Sequence, residues 1–107
     1  MSLFGLIKRP DINAGVETAR AGKGAVILDV RTRQEYMQER IPGSVNIPLD
    51  ELGKISEKIP DKSTPVFVHC LSGARSSAAA KIMKNAGYTN VTDIGGISGY
   101  KGKTERG

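Results

Sequence analysis

The chain has 107 residues, of which 38% are hydrophobic and 25% charged, so one globular domain is expected and two full domains are excluded. The 16 Lys and Arg outnumber the 11 Asp and Glu by five, which favours anionic ligands, but no aromatic residues alternate with them as a nucleic-acid surface requires. No apolar run approaches the ~18 residues of a membrane span, and Leu3–Ile7 is too short for a signal-peptide core, so we expect neither nucleic acid nor membrane as a partner.

The first part of the chain alternates predicted helices and strands. Asp11 is placed to cap a helix over residues 12–21, which Gly residues then stop. Ala25–Leu28 is a short unbroken apolar run, as expected of a parallel strand covered on both faces. Thr32 and Glu35 have the spacing of a capping box, which predicts the start of a second short helix.

The middle of the chain contains a weaker helix and a stronger strand. The second helix ends before Ile41-Pro42-Gly43, and residues 45–48 are predicted to be extended. Leu49–Ile59 has apolar residues at spacings that suit a third helix of one or two turns. Pro65–Val68 reads as a buried strand that leads directly into the next two residues, His69 and Cys70.

The last predicted elements complete an alternating pattern. Ser76–Ala86, rich in Ala, Lys and Met, is the strongest predicted helix, and Thr89–Ile94 is a further core strand that ends at Gly95-Gly96. Strands alternating with helices at these lengths predict a small α/β sandwich with a central, mostly parallel sheet flanked by helices. Ligands of such sheets bind beyond the carboxyl ends of the strands, and Cys70 lies at one such end.

Cys70 is the only cysteine in the chain. A single cysteine excludes an internal disulfide framework and a Cys-rich zinc site, and we expect no metal. The lack of disulfides makes the reducing cytoplasm the expected compartment. Any chemistry at Cys70 must therefore use one thiol.

The segment after the buried strand places that thiol before a tight loop and a helix start. If the loop curls around Cys70, the backbone amides of residues 71–76 point toward its sulfur, and the helix N-terminus adds a partial positive charge. Gly73 permits the bend, and Arg75 adds a cation that stabilises a thiolate. A cysteine after an apolar strand is often only a small buried hydrophobe. The short spacing of Gly73, Arg75 and the helix start favours a reactive thiol instead.

Several motifs share the order and spacing of a known family. They are Asp29-Val30-Arg31 followed by Glu35-Tyr36, Ile41-Pro42-Gly43-Ser44-Val45-Asn46-Ile47-Pro48, Cys70-x-x-Gly73-x-Arg75-Ser76, and Gly95-Gly96. In these motifs the chain resembles the single-domain rhodanese-like sulfurtransferases from about Ile12 to Tyr100. The resemblance implies a rhodanese-like α/β fold with a six-residue active loop from Cys70 to Arg75. We expect one domain over residues 1–107, with a core over about 11–100 and a basic tail over 101–107.

The resemblance also implies a sulfur relay in which Cys70 becomes a persulfide. The thiolate would attack the outer sulfur of a small anionic donor such as thiosulfate, and a thiol, cyanide or protein acceptor would then take the sulfur. The loop amides would stabilise negative charge throughout, so no cofactor is expected. Because no second cysteine is present, another molecule must resolve the persulfide. We expect a monomer or a weak dimer.

The remaining loop residues have supporting roles in this interpretation. Leu71 and Ala74 supply backbone amides, and Ser72 and Ser76 offer hydroxyl donors, although the position of Ser76 favours a helix N-cap. Arg75 is predicted to hold the sulfonate end of a donor, the alternative being a surface Arg that caps the loop.

Four residues outside the loop have predicted structural roles. Asp29 is placed either to brace the active loop, as the family resemblance implies, or to cap a turn or helix. Arg31 and Glu35, four residues apart, are predicted to pair with each other if both are helical, and the resemblance suggests that they pin neighbouring segments together. His69 precedes Cys70 in a strand, so its side chain should lie on the opposite face as a packing residue.

The sequence departs from the family pattern in three places and leaves two other functions open. Glu39-Arg40 stands where Gly-His is usual, Tyr100 stands where a Trp is usual, and the tail lacks the usual ending. One alternative is a sulfur-carrier or binding module with little turnover. The other is a cysteine phosphatase or arsenate reductase, whose loop has five residues between Cys and Arg, whereas this loop has four.

Overall fold

The structure, a computed structural model, describes residues 10–107, so the Leu3–Ile7 run lies outside the described residues. Its centre is one four-stranded sheet in the order β2-β1-β3-β4, and every neighbouring pair is parallel. The strands are β1 (Val26–Asp29), β2 (Val45–Asn46), β3 (Val66–Cys70) and β4 (Val91–Gly96). This confirms the predicted α/β fold with a central parallel sheet.

Among residues 10–107, four α-helices lie around the sheet. They are α1 (Ile12–Ala21), α2 (Arg33–Gln38), α3 (Ile55–Lys58) and α4 (Ala74–Asn85). Buried side chains of α1 pack in one apolar cluster with Ile27, Ile94 and Ile97, whereas those of α3 and α4 pack in a second cluster with Leu28, Val68 and Cys70. Strands β1, β3 and β4 therefore present alternate residues to two separate cores, as their position between two helical layers requires.

Two predicted helix starts are confirmed. The Asp11 carboxylate accepts a hydrogen bond from the Asn13 amide at 3.0 Å, at the start of α1. The Thr32 and Glu35 side chains form the reciprocal capping box at the start of α2. Both caps satisfy amides that have no partner within the helix.

The prediction of a third helix within Leu49–Ile59 is only partly confirmed. Residues Leu49–Lys54 form a 3-10 helix, and only Ile55–Lys58 is α-helical. Leu49, Leu52 and Ile55 recur every third residue, and this spacing places them on one face of a 3-10 helix. The helix after the loop also begins earlier than predicted, at Ala74, and β4 continues to Gly96.

The C-terminal tail is fastened to the end of α2. Arg40 and Glu105 exchange backbone hydrogen bonds of 2.9 Å, and the Arg40 Nε lies 3.0 Å from a Glu105 carboxylate oxygen. The Arg40 guanidinium also lies over the Tyr36 ring, and the Thr104 hydroxyl donates to Glu39 at 3.0 Å. Glu39 and Arg40, which depart from the family pattern, thus bind a tail that also departs from it.

Among residues 10–107, no helix combines the length and the apolar character that crossing a bilayer requires.

Candidate active site

Cys70 ends β3 at the carboxyl edge of the sheet, where the chain turns into α4. Its thiol is free and almost completely buried beneath the turn. The Gly73 amide donates a hydrogen bond to Sγ at 3.0 Å, and the Ser76 hydroxyl oxygen lies 3.6 Å from the same sulfur. The amides of Ser72 and Ser76 also point to it. Of the six amides predicted to surround the sulfur, the structure brings these three to it.

Two opposing effects act on the pKa of the Cys70 thiol. Burial raises it, because the thiolate loses water. The hydrogen bond with the Ser76 hydroxyl and those from the amides of Ser76, Gly73 and Ser72 lower it, and together they outweigh the burial. The net result is a pKa below the ordinary value of a cysteine. A larger share of Cys70 is therefore thiolate at neutral pH than in a free cysteine.

Gly73, and not Ser76, begins the helix. Gly73 has a φ of 112°, in the left-handed region that glycine tolerates, and it occupies the N-cap position without a side-chain cap. Ser76 is consequently the third residue of α4, so its predicted N-cap role is wrong. Its buried hydroxyl donates to the Gly73 carbonyl oxygen at 3.0 Å and thereby ties the loop to the helix while facing the sulfur.

The predicted pair between Arg31 and Glu35 is wrong, because Glu35 binds Arg75 of the loop instead. The two guanidinium nitrogens of Arg75 lie 2.7 and 3.0 Å from the two Glu35 carboxylate oxygens. Arg31 precedes α2, so it lacks the helical geometry that the predicted pair requires. The hydrogen bond to Arg75 lowers the pKa of Glu35 to about 2, so this carboxylate is ionised at neutral pH. Sulfonate binding by Arg75 stays a prediction.

Arg31 instead binds Asp29 in the interior. Its Nε and Nη2 approach the Asp29 carboxylate at 2.7 to 3.1 Å, and both side chains are buried. Nη2 also donates to the Glu39 carbonyl oxygen at 2.6 Å, which joins the end of β1 to the end of α2. Asp29 accepts from the Arg31 amide as well, so it shapes the turn after β1. The hydrogen-bond partner of its carboxylate is Arg31, whose contact to Glu39 holds the helix that carries Glu35.

His69 is completely buried beside Asp29, with 3.9 Å between its Nε2 and the nearer Asp29 oxygen. Its Nδ1 lies 3.3 Å from the Cys70 carbonyl oxygen. Burial lowers the pKa of His69, although the Asp29 charge acts in the opposite direction, and the ring is neutral at pH 7. The neutral buried ring agrees with the packing role expected from the sequence.

Gly96 gives the loop its space, a role that the sequence analysis did not assign. A Cβ atom at this position would collide with the Leu71 carbonyl oxygen and with Cα of Ser72. Both of those atoms belong to the backbone, so they cannot yield by a side-chain rotation. The Gly95-Gly96 motif was the available signal, since glycine in a strand often marks a close backbone approach.

Two grooves flank the loop. One, of about 400 Å³, includes Ser72, Gly73 and Gly96 in its lining. The other, of about 430 Å³, is lined by Val30, Thr32, Pro48, Leu49, Asp50 and Arg75. Both open at the carboxyl edge of the sheet, where ligands of parallel sheets bind.

One known protein family matches most of this chain. The model of the Rhodanese-like domain family matches residues 14–103, which include every element that builds the loop. The chain belongs to the rhodanese-like domain family.

Named relatives of this rhodanese-like domain include sulfur-handling proteins. The chain is 41% identical over 71 residues to the thiosulfate sulfurtransferase PspE of Escherichia coli, a match that covers 65% of this chain and 68% of PspE. It is 40% identical over 80 residues to the putative sulfur carrier protein YrkF of Bacillus subtilis. That second match covers 74% of this chain but only 43% of YrkF.

Solved rhodanese structures share the fold of this domain. A rhodanese with anions from Escherichia coli has a TM-score of 0.72 and 36% identity, over 78% of this chain and 99% of that one. A thiosulfate sulfurtransferase from Pseudomonas aeruginosa has a TM-score of 0.79 and 31% identity, over 91% of this chain and 20% of that one. The comparisons thus support a rhodanese-like fold and a connection to sulfur transfer.

Proposed function

We propose that this protein is a sulfurtransferase that carries a sulfane sulfur as a persulfide on Cys70. The observation on which the proposal depends is the set of hydrogen bonds to the Cys70 Sγ, which includes one from the Gly73 amide at 3.0 Å. These donors lower the pKa of the thiol despite its burial. In the persulfide the negative charge moves to the terminal sulfur, one bond beyond Sγ, where we expect amides of the same loop to stabilise it.

The first step is a displacement at sulfur. The Cys70 thiolate attacks the outer sulfur of thiosulfate, a new S–S bond forms, and sulfite leaves with the electron pair of the broken S–S bond. An acceptor thiolate or cyanide then attacks the terminal sulfur and restores the Cys70 thiolate. No electrons are gained or lost overall, so the chain's own residues suffice. We expect Arg75 to bind the sulfonate group of thiosulfate through those of its N–H groups that do not bind Glu35.

A sulfur-carrier role shares the first step and differs in turnover. The similarity to a protein named a putative sulfur carrier supports this second candidate. A carrier loads sulfur and waits for one protein acceptor, whereas a turnover enzyme uses small acceptors as well. The phosphatase alternative has less support, since the loop has only four residues between Cys70 and Arg75 and the guanidinium is paired with Glu35.

Intact-mass measurement after treatment with thiosulfate tests the proposal. We expect the protein to gain the mass of one sulfur atom, because Cys70 is the only cysteine, and cyanide should remove it. Repeated release of sulfite in the presence of cyanide would identify an enzyme, and a single loading without turnover would identify a carrier. No mass gain with any sulfane-sulfur donor, or hydrolysis of an aryl phosphate at a comparable rate, would contradict the proposal.

Replacing Gly96 by alanine should slow sulfur loading by about 10- to 100-fold. The new methyl group displaces the backbone at Leu71 and Ser72, and small displacements of a catalytic group are costly. The rate of mass gain at neutral pH measures the effect. Gly53→Ala is the matched control, because a Cβ atom there meets nothing within 4 Å. Equal loading rates in the two variants would show that the position of the loop does not limit the reaction.

A further inference from the structure

Helix α2 carries Glu35 to the active loop, yet it has little packing to hold it. None of its six residues, all of which the structure describes, has a buried side chain. A helix of this length does not form on its own in water, and most helices of globular proteins are held by an apolar face. The position of α2 must therefore depend on polar contacts at its two ends.

The two ends of α2 have different supports. The capping box fixes the first turn. The last turn is held from the interior by Arg31, whose Nη2 donates to the Glu39 carbonyl oxygen at 2.6 Å. On its outer side lies the C-terminal tail, where the Gly107 amide donates to the Met37 carbonyl oxygen at 2.9 Å. The tail is thus one of few supports of the helix that holds Glu35.

Arg40 is the centre of the contact between the tail and α2. Its backbone exchanges two hydrogen bonds with Glu105, and its guanidinium binds the Glu105 carboxylate and, at 3.1 Å, the Gly107 carbonyl oxygen. The same guanidinium lies 5.1 Å from the centre of the Tyr36 ring, an attractive arrangement for a cation. The Arg40 side chain is 18% exposed, whereas that of Glu105 is 48% exposed. Arg40 therefore joins the tail to the residue that follows Glu35.

Glu35 transmits the position of α2 to the active loop. Its Oε1 accepts from the Thr32 amide at 2.9 Å and lies 2.7 Å from Arg75 Nη1, so one carboxylate oxygen serves both the helix cap and the loop. Its Oε2 lies 3.0 Å from Arg75 Nη2. A displacement of α2 by about 1 Å breaks this two-point contact, because a separation beyond about 3.5 Å is no longer a hydrogen bond. Arg75 then loses the partner that fixes its guanidinium.

We infer that Arg40 and Glu105 are positioning residues: by holding the tail on α2, they keep Arg75 of the active loop oriented. While the tail is bound, α2 holds Glu35 in place, and Glu35 keeps the guanidinium in one orientation. When the tail detaches, α2 moves more freely, and Arg75 is oriented for a smaller share of the time. The consequence for an anionic donor rests on the proposed function, in which Arg75 binds the sulfonate group.

Reversing the charges at the tail contact tests the inference. Glu105→Arg places two cations side by side and should detach the tail more often. The double variant Arg40→Glu/Glu105→Arg rebuilds the ion pair in the opposite sense and leaves the net charge of the chain unchanged. Glu57→Arg is the matched control, because it makes the same change of charge as Glu105→Arg at an exposed side chain of α3.

Native-state hydrogen exchange measures the attachment of the tail without any sulfur chemistry. The Arg40 amide donates to the Glu105 carbonyl oxygen and reports the tail contact. The Glu39 amide donates to the Glu35 carbonyl oxygen and reports the last turn of α2. Both amides should exchange about fivefold faster in Glu105→Arg, and the double variant should recover most of the protection. Acceleration of the Arg40 amide alone would show that the tail does not support α2 and would overturn the inference.

Alkylation of Cys70 shows whether the effect reaches Arg75, whose charge lies close enough to interact with that of the thiolate. Iodoacetate is an anion and iodoacetamide is neutral, so the ratio of their rates reports how well the guanidinium is oriented toward a reagent at the thiol. The ratio should be about threefold lower in Glu105→Arg than in the wild-type protein, although the added positive charge alone would raise it. The double variant should restore the ratio, and Glu57→Arg should not lower it.

Glu35→Gln removes the link between α2 and Arg75. In this background, Glu105→Arg should no longer lower the alkylation ratio, while the Arg40 amide should still exchange faster. An unchanged ratio in Glu105→Arg, or a ratio lowered equally in both backgrounds, would overturn the inference. Failure of the proposed function looks different: no sulfane-sulfur donor then loads Cys70, whereas the exchange rates and the alkylation ratio still follow the tail contact.

Discussion

Replacing Cys70 by serine should reduce sulfur loading and sulfite release to the background rate. A serine oxygen cannot become a persulfide, and its hydroxyl stays protonated at neutral pH, although the same amides still point to it. The fold should persist, because serine is close in size to the cysteine that it replaces beneath the loop. Intact mass after thiosulfate treatment and sulfite release with cyanide measure the effect.

Ser56→Ala is a suitable control for the Cys70 variant, since it alters an exposed hydroxyl of α3, away from the loop. It should load sulfur as the wild-type protein does. If Cys70→Ser still gained sulfur, a group other than the thiol would be the carrier, and the assignment of the nucleophile would be wrong.

Replacing Asp29 by asparagine should lower the free energy of unfolding by about 3 to 5 kcal/mol. The variant leaves the Arg31 guanidinium buried, only 4% exposed, without its carboxylate partner. It also weakens the link from β1 to α2, because Arg31 reaches the Glu39 carbonyl oxygen from the same position. Urea denaturation at neutral pH measures the change in the unfolding free energy.

Glu51→Gln is the matched control for Asp29→Asn. It breaks the ion pair with Arg33. The Arg33 side chain is 67% exposed and that of Glu51 39%, and such exposed pairs contribute less than about 1 kcal/mol to stability. A comparable loss of stability in both variants would show that burial of the Asp29 pair has no special importance for the fold.

The fold could be predicted from local patterns because its determinants are local. The apolar runs of β1 and β3 and the capping box at Thr32 identified strands and a helix start that the structure contains. The same patterns predicted a mostly parallel sheet, since strands alternate with helices along the chain, but they did not give the order of the strands. The 3-10 helix over Leu49–Lys54 was not predicted, because apolar residues three apart are also typical of an α-helix.

The candidate site could be predicted only in part. The loop followed from the sequence because Cys70, Gly73 and the helix start are neighbours in the chain. The partner of Glu35 did not, because Arg75 is 40 residues away and four residues of separation made Arg31 the nearer choice. Residue spacing in the sequence predicts side-chain pairs within one helix. It does not predict pairs between distant residues that the tertiary fold brings together.

The contact between the tail and α2 was also beyond sequence reasoning. Glu39-Arg40 and the residues near Glu105 are both atypical of the family, but nothing in a single sequence links two such positions. In the structure they bind each other through the backbone and through the Arg40 and Glu105 side chains. Their departures are therefore complementary parts of one contact.

A pH titration of the Cys70 thiolate tests the central claim, that hydrogen-bond donors of the loop stabilise a thiolate at this sulfur. The ultraviolet absorbance of the thiolate reports on Cys70 after correction with the Cys70→Ser variant, because the chain has no other cysteine. We expect a midpoint below the value of about 8.5 for a free cysteine, and a higher midpoint in Ser76→Ala, which lacks the hydroxyl that lowers the pKa. A wild-type midpoint at or above that of a free cysteine would contradict the account.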